Sequence, residues 1–148
     1  MKWQENCCLP ANDNINWSAT YVLAKKCTNS TKLTEFQYKF LHRRMPTNSF
    51  LFKIGLQANE RCSLCHTSKE SLIHLFWSCP KTSNFWNEVS RWLQSLNLLS
   101  RDYTLPNVTA LGLRPDVSQF ALLINYCFLL ARYHIWLAKT KGDRKSVV

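Results

Sequence analysis

Apolar side chains recur at the spacing of an α-helix in the segment KLTEFQYKFLHRR, residues 32–44. Leu33, Phe36 and Phe40 fall on one face of this helix, and Pro46 ends it. Polar residues directly before the segment can cap its start, and they are Asn29, Ser30 and Thr31. The pattern therefore predicts an amphipathic helix whose other face carries basic residues.

A shorter helix is predicted directly after the proline, in the segment TNSFLFKIG. Thr47 can act as its N-cap, and Gly55 stands where a C-terminal cap belongs. Phe50, Leu51 and Ile54 form its apolar set.

The segment TSNFWNEVSRWLQSLN has the clearest helical period in the chain. Its apolar side chains fall within roughly 120° of arc on a helix. These side chains are Phe85, Trp86, Val89, Trp92, Leu93 and Leu96. We expect this helix to face the core with that arc.

The last predicted helix, SQFALLINYCFLLARYHIWLAK, is apolar on almost every side. Polar residues recur at every seventh position and form one narrow stripe, at Ser118, Asn125, Arg132 and Lys139. Its length is close to that of a membrane span, but Arg132 well inside it would cost about 2.5 to 3.5 kcal/mol on insertion. We therefore expect a helix that is buried in the domain or docks on a larger partner, and no membrane association. A membrane-associated small basic protein is the less favoured alternative.

Composition supports a folded, basic protein. Hydrophobic residues make up 46% of the 148 residues and aromatic residues 13%, which argues against disorder. The formal net charge of +10 favours a polyanionic partner, nucleic acid before a membrane surface. Seven cysteines and no apolar run at the N-terminus predict an intracellular, reducing setting, with nucleus and cytoplasm left open.

The cysteine segment CSLCHTSKESLIHLFWSC contains the spacing Cys62-x2-Cys65-x8-His74-x4-Cys79. Three thiols and an imidazole can close a tetrahedral zinc shell, and four protein ligands make such a site structural. The same segment matches the haem attachment pattern C-x-x-C-H through His66, and C-x-x-C also occurs in redox sites. Buried thiols without a ligand role are a further alternative. His74 and Cys79 favour the metal site, because haem attachment and redox chemistry leave them unexplained.

Local signals indicate how these donors could meet. Thr67 and Glu70 fit a capping box, which predicts a helix that starts directly after Thr67. His74 and Cys79 are five residues apart, so a continuous α-helix would turn them about 140° away from each other. Pro80 disfavours the α-conformation at Cys79, so we expect Cys79 beyond the helix end, where the chain can fold back.

Four stretches in this order resemble the zinc-binding domain that lies C-terminal to the reverse transcriptase in LINE-type, non-LTR retrotransposons. They are residues 17–27, 36–55, 62–80 and 85–89. The resemblance implies a small, mainly α-helical domain organised around one structural CCHC zinc site, with Cys62, Cys65, His74 and Cys79 as the Zn²⁺ ligands. It also implies a module that helps the polymerase of the parent element to hold template RNA, or RNA and target DNA.

No Asp-Asp pair of the polymerase type and no endonuclease region are present, so we expect no enzymatic activity and no small-molecule substrate. The chain looks like a C-terminal fragment of such an element. We expect a flexible leader over residues 1–16 and the zinc-binding domain over 17–100. Residues 101–148 are expected to form a connection, the apolar helix and a basic tail.

A strip between residues 25 and 53 holds seven lysines and arginines against the single acid Glu35. Such a strip can contact phosphates, and an exposed Tyr38 or Phe40 could stack on an unpaired base. The candidate nucleic-acid contacts are Lys39, His42, Arg43, Arg44 and Lys53. A solvated helix face is the alternative for the strip, and a module that docks on the polymerase through its apolar helices is the alternative function.

Overall fold

The computed structural model describes residues 17–102, 105, 110–111 and 121–145. Its helices, in chain order, are α1 (Trp17–Cys27), α2 (Thr31–Leu41), α3 (Asn48–Lys53), a π-helical turn (His74–Ser78), α4 (Pro80–Ser95) and α5 (Ala121–Lys145). Within these residues the only β-type pairing is an isolated antiparallel bridge between Arg61 and Lys69. The predicted mainly α-helical fold is confirmed. The predicted leader, residues 1–16, and Ser118 lie outside the described residues, and the division into domains stays a prediction.

The predicted caps of the two short helices are confirmed. Ser30 precedes α2 and its side chain accepts a hydrogen bond from the Leu33 amide at 3.3 Å. Thr47 does the same for α3, accepting from the Phe50 amide at 3.4 Å. Gly55 ends α3 in the left-handed conformation, with φ of +81°, which side chains with a Cβ rarely adopt.

The core lies where α2, α4, α5 and the π-helical turn meet. Phe40 and Phe76 are fully buried and pack edge to face, with ring centroids 4.9 Å apart. Trp136 of α5 stacks against Phe76 at 6.5 Å, and Phe128 of α5 packs against Trp86 of α4 at 6.0 Å. Phe128 is almost completely buried, and full burial of such a side chain contributes about 1.5 to 3 kcal/mol, so α5 is an integral part of this core.

The buried side of α3 is polar. Asn48 and Ser49 are its buried residues, whereas Phe50 and Ile54 of the predicted apolar set are exposed and Leu51 is half-buried. The Asn48 amide group donates to the Arg61 carbonyl at 2.7 Å, which turns this side of α3 inward. The apolar set therefore does not form the buried face of α3.

The core-facing arc predicted for α4 is only partly correct. Trp86 and Leu93 are buried, and Phe85 and Val89 pack against the core. Trp92, however, is 55% exposed, and Leu96 is exposed as well. The apolar arc of this helix is wider than the surface that α5 and the π-helical turn cover.

The polar stripe of α5 faces the interior. Asn125, Arg132 and Lys139 are buried, whereas leucines of the same helix are exposed, namely Leu122, Leu123, Leu130 and Leu137. Arg132 donates to the Gln37 side-chain carbonyl at 2.9 Å and to the Ala110 carbonyl at 2.7 Å. Burial lowers the pKa of Arg132 to about 9, which leaves the guanidinium charged at neutral pH. None of the described helices is both long and apolar enough to cross a membrane.

Candidate metal centre

The four predicted donors come together at one point. The ligand atoms of Cys62, Cys65, His74 and Cys79 all lie within 4.8 Å of one another. The sulfurs of Cys62 and Cys79 are 3.9 Å apart, and Cys65 Sγ lies 3.4 Å from His74 Nε2. Zinc bonds of about 2.3 Å to sulfur and 2.0 Å to nitrogen give tetrahedral edges of about 3.8 Å between two sulfurs and about 3.5 Å between sulfur and nitrogen. Both the chemistry and the spacing of this Cys3His cluster therefore suit a metal ion.

A tight turn presents Cys62 and Cys65. The bridge between Arg61 and Lys69 closes the segment, and the Cys62 amide donates to the Ser68 carbonyl at 2.7 Å. Within the turn, the Leu64 amide donates to Cys62 Sγ at 3.4 Å. Such amide donors stabilise a thiolate, which is the form that binds metal.

His66 is exposed and has a left-handed backbone, with φ of +61°. It lies outside the donor cluster, in agreement with the assignment of His74 as the fourth donor.

A π-helical turn presents His74 and Cys79. The Cys79 amide donates to the His74 carbonyl at 2.7 Å, five residues back instead of the four of an α-helix. Cys79 itself has extended backbone angles and precedes Pro80, as the proline predicted. The widened turn removes the angular mismatch between His74 and Cys79. The sequence analysis did not predict this π-helical turn.

Side chains of α4 satisfy the backbone groups that the π-helical turn leaves open. The indole of Trp86 donates to the Phe76 carbonyl at 2.8 Å, and the Thr82 hydroxyl donates to the Leu75 carbonyl at 2.7 Å. Both bonds are buried, where an unpaired carbonyl would be costly. The first half of α4 thus holds the turn in its wide form.

The predicted capping box is wrong. The Thr67 hydroxyl donates to Cys65 Sγ at 3.3 Å, and the helical segment begins at Leu72. Glu70 is instead fully buried, and its carboxylate accepts from the amides of Asn48 at 2.9 Å and Ser63 at 2.7 Å. These two amide partners, together with Lys139 of α5, therefore outcompete the local cap.

The third strong partner of Glu70 comes from α5. Lys139 Nζ lies 3.0 Å from the Glu70 carboxylate, and both side chains are almost completely buried. The ammonium also donates to Ser63 Oγ at 3.1 Å and to Asn48 Oδ1 at 3.2 Å. Ser63 lies between Cys62 and Cys65, so this network links α5 and α3 to the turn that presents two donors. The only sequence signal for the role of Lys139 was its place in the polar stripe, which repeats at every seventh position.

The pKa values of Cys62 and Cys65 are shifted in opposite directions. Burial raises the pKa of Cys62 to about 12, although amide hydrogen bonds from Cys65 and Leu64 oppose it. Burial acts in the same direction on Cys65, but hydrogen bonds from Thr67, Ser68 and His74 outweigh it and lower its pKa to about 5. Cys65 is thus deprotonated more readily than Cys62.

Four of the predicted nucleic-acid residues, namely Lys39, His42, Arg43 and Arg44, lie at the C-terminal end of α2, and Lys53 is the last residue of α3. Arg43 follows α2 with a left-handed φ of +56°, and the Arg44 amide donates back to the Lys39 carbonyl at 2.8 Å. Lys39 and Arg44 are exposed, and Arg43 is half-buried.

Two clefts flank this helix end. Arg43 and Lys53 line one cleft of about 420 Å³, together with Lys69, which sequence reasoning missed. His42 lines a second cleft of about 390 Å³. Phe40 is fully buried and is therefore unavailable to stack on a base, which corrects that expectation.

Comparison with known proteins agrees with this geometry. The model of the family described as zinc-binding in reverse transcriptase matches residues 3–86, more than half of the chain and including all four donors. No solved structure matches the chain. Haem attachment and a C-x-x-C redox pair leave His74 and Cys79 unexplained, whereas the family and the cluster account for all four donors. The chain belongs to the family of zinc-binding domains found in reverse transcriptases.

Proposed function

We propose that this chain is a structural Zn²⁺ module that binds nucleic acid, RNA in preference to DNA, for the reverse transcriptase of a LINE-type, non-LTR retrotransposon. Three thiols and one imidazole within 4.8 Å of one another support zinc as the metal, because this soft donor set is typical of structural zinc sites. All four positions of a tetrahedral shell are then filled by protein. The module accordingly has a structural role and carries neither polymerase nor nuclease activity.

The observation that carries nucleic-acid binding is the basic cleft beside the metal-binding segment. Arg43, Lys53 and Lys69 all line it, from the end of α2, the end of α3 and the metal-binding segment. The hydroxyl-bearing residues Thr47 and Ser71 also line it. Cationic and hydroxyl side chains are the usual contacts to phosphate oxygens, and α1 and α2 carry further exposed lysines. A solvated helix face would not require cations from three segments to share one concave surface.

A salt titration of RNA binding tests this function. Each phosphate contact to a single strand contributes about 0.7 to the slope of log K against log salt. We expect Arg43→Gln combined with Lys53→Gln to reduce that slope by about 1.4, because two contacts are lost. The measurement is fluorescence anisotropy of the zinc-loaded chain at several salt concentrations.

The matched control is Lys81→Gln with Arg91→Gln, which removes the same charge from exposed positions on α4. If the control and the cleft variant change the slope equally, binding depends on net charge alone and the cleft is not the contact surface.

A second candidate function rests on a specific surface. A groove of about 470 Å³ between α4 and α5 is lined by Phe85, Trp92, Leu130 and Leu137, and it is almost entirely apolar. Large exposed apolar surfaces mark protein contacts, which favours docking on the polymerase domain. Trp92→Asp with Leu130→Asp should abolish co-purification with the reverse transcriptase domain and leave RNA binding by the isolated chain unchanged. Loss of RNA binding in this variant would place the nucleic-acid surface on α4 and α5 instead.

A further inference from the structure

The second cleft, between α1 and α2, has an aromatic rim. His42 lies between two tyrosines, with ring centroids 5.4 Å from Tyr21 and 4.2 Å from Tyr38. The Tyr21 and His42 rings are close to parallel, at 25°. Tyr21 is 45% exposed and Tyr38 is 54% exposed, so large ring surfaces face solvent in a cleft of about 390 Å³. That volume falls in the range of about 300 to 1,000 Å³ that ligand clefts occupy.

Gln37 lies at the inner side of this cleft and is 2% exposed. Its Oε1 accepts from Arg132 Nε at 3.2 Å and from a terminal guanidinium nitrogen of Arg132 at 2.9 Å. Because arginine can only donate, these bonds fix which end of the amide is oxygen and which is nitrogen.

The amide nitrogen of Gln37, Nε2, is the one buried side-chain nitrogen or oxygen without a hydrogen-bond partner in the part of the chain that the structure describes. A small void that Gln37 also lines, next to Cys27 and Asn125, has essentially no space for a water molecule. Gln37 also lines the cleft, but its Nε2 is itself buried, so an acceptor in the cleft reaches this donor only after the side chains around it shift. Unpaired buried donors are rare, and each one calls for a partner.

We propose that this cleft binds one unpaired base of a single-stranded nucleic acid, an inference that rests on the proposed nucleic-acid function. The base stacks on the Tyr38 and Tyr21 rim. Once the side chains that cover Gln37 Nε2 shift, this nitrogen donates to a carbonyl or ring nitrogen on the edge of the base. Lys25 at the same cleft is placed to contact the adjoining phosphate.

The chemistry of the cleft distinguishes single strands from duplexes. A base inside a duplex has both faces covered by its neighbours and its edge paired, so it can neither stack on the rim nor accept from Gln37. Stacking itself tolerates any base because every base has a π-face. The basic cleft at Arg43 and Lys53 then binds the backbone, and the aromatic cleft requires that at least one base is free.

Two variants test the proposal in the zinc-loaded full chain. Tyr38→Ala removes an exposed stacking ring. Gln37→Glu keeps the oxygen that accepts from Arg132 but replaces the unpaired Nε2 donor with a second acceptor oxygen. The probe is a 12-nucleotide RNA with a single 2-aminopurine, whose fluorescence falls when the base stacks. We expect each variant to weaken single-strand binding about tenfold, equal to about 1.4 kcal/mol, and Tyr38→Ala to abolish the fluorescence change.

Three controls accompany the variants. The same sequence as a duplex should bind each variant within twofold of the unsubstituted chain, because phosphate contacts persist. Trp92→Ala removes an equally exposed ring, 55% exposed, from α4 and should leave single-strand binding unchanged. Comparing the affinity for a DNA strand of the same sequence shows whether the ribose contributes to binding.

Unchanged single-strand binding by Tyr38→Ala, or an equal loss on the duplex, would overturn the base-binding cleft. Failure of the Arg43 and Lys53 variant to change the salt slope would instead overturn the proposed function, so the two failures are distinguishable. Unchanged binding by Gln37→Glu would refute the hydrogen bond to the base.

Discussion

The buried ion pair between Lys139 and Glu70 is the contact that ties α5 to the turn carrying Cys62 and Cys65. We predict that Lys139→Met, which keeps the apolar length of the side chain and removes its charge, destabilises the zinc-loaded chain strongly. The Lys139 and Glu70 side chains are 2% and 0% exposed, so water cannot replace the lost ammonium. The carboxylate would stay buried with its negative charge uncompensated.

The magnitude follows from the environment of the carboxylate. Breaking a buried pair by removing one partner costs about 3 to 5 kcal/mol. Glu70 retains the amide donors of Asn48 and Ser63 in the variant, so we expect the free energy of unfolding to fall by about 3 kcal/mol, the lower end of that range. The exposed pair of Lys69 and Glu60, 3.6 Å apart, should by contrast contribute at most about 1 kcal/mol.

Urea unfolding followed by tryptophan fluorescence measures this effect, at one fixed free zinc concentration because metal binding adds to apparent stability. Lys141→Met is the control, since it removes a lysine from an exposed position of the same helix and should change stability by less than about 0.5 kcal/mol. Glu70→Gln and the double variant complete a thermodynamic cycle.

We expect the double variant to be less destabilised than the sum of the single variants, with a coupling of about 0.5 to 3 kcal/mol. Strict additivity, or a Lys139→Met stability within 0.5 kcal/mol of the unsubstituted chain, would refute the argument that this pair connects α5 to the metal-binding turn.

The remaining predictions concern the π-helical turn and the cluster. Trp86→Phe should cost about 1 to 3 kcal/mol in urea unfolding, because it leaves the Phe76 carbonyl unpaired in the core, whereas the exposed Trp92→Phe should cost less than about 0.5 kcal/mol. Equal effects of the two would show that the indole bond does not hold the turn. Cys79→Ser should reduce protection from hydrogen exchange around α2, α3 and α4, with Cys127→Ser as the thiol control; equal protection in both variants would contradict a ligand role for Cys79.

Much of this fold could be predicted from local signals. Ser30, Thr47 and Gly55 act within a few residues of their own position, so their capping roles follow from sequence alone. The four donors were also predictable, because their types and spacing suit one ion. The position of Cys79 followed from the proline behind it.

The errors arose where distant segments decide the outcome. Glu70 has the spacing of a capping box, but Lys139, 69 residues further along the chain, draws its carboxylate into the core. Gln37 and Arg132 are likewise polar residues of two separate helices, and only the tertiary structure brings them together. The inward direction of the α5 stripe could not be inferred from an almost uniformly apolar helix. Periodicity identifies the residues that share one face of a helix, but it does not show which other elements pack against that face.

The central claim is that Cys62, Cys65, His74 and Cys79 hold one structural zinc ion. Elemental analysis of the purified chain after exhaustive dialysis tests it most directly, beside Cys79→Ser and the Cys127→Ser control. We predict one zinc per chain in the unsubstituted protein and in Cys127→Ser, and a large loss of zinc in Cys79→Ser. A chain that retains no zinc, or a Cys79→Ser variant that retains a full equivalent, would contradict it.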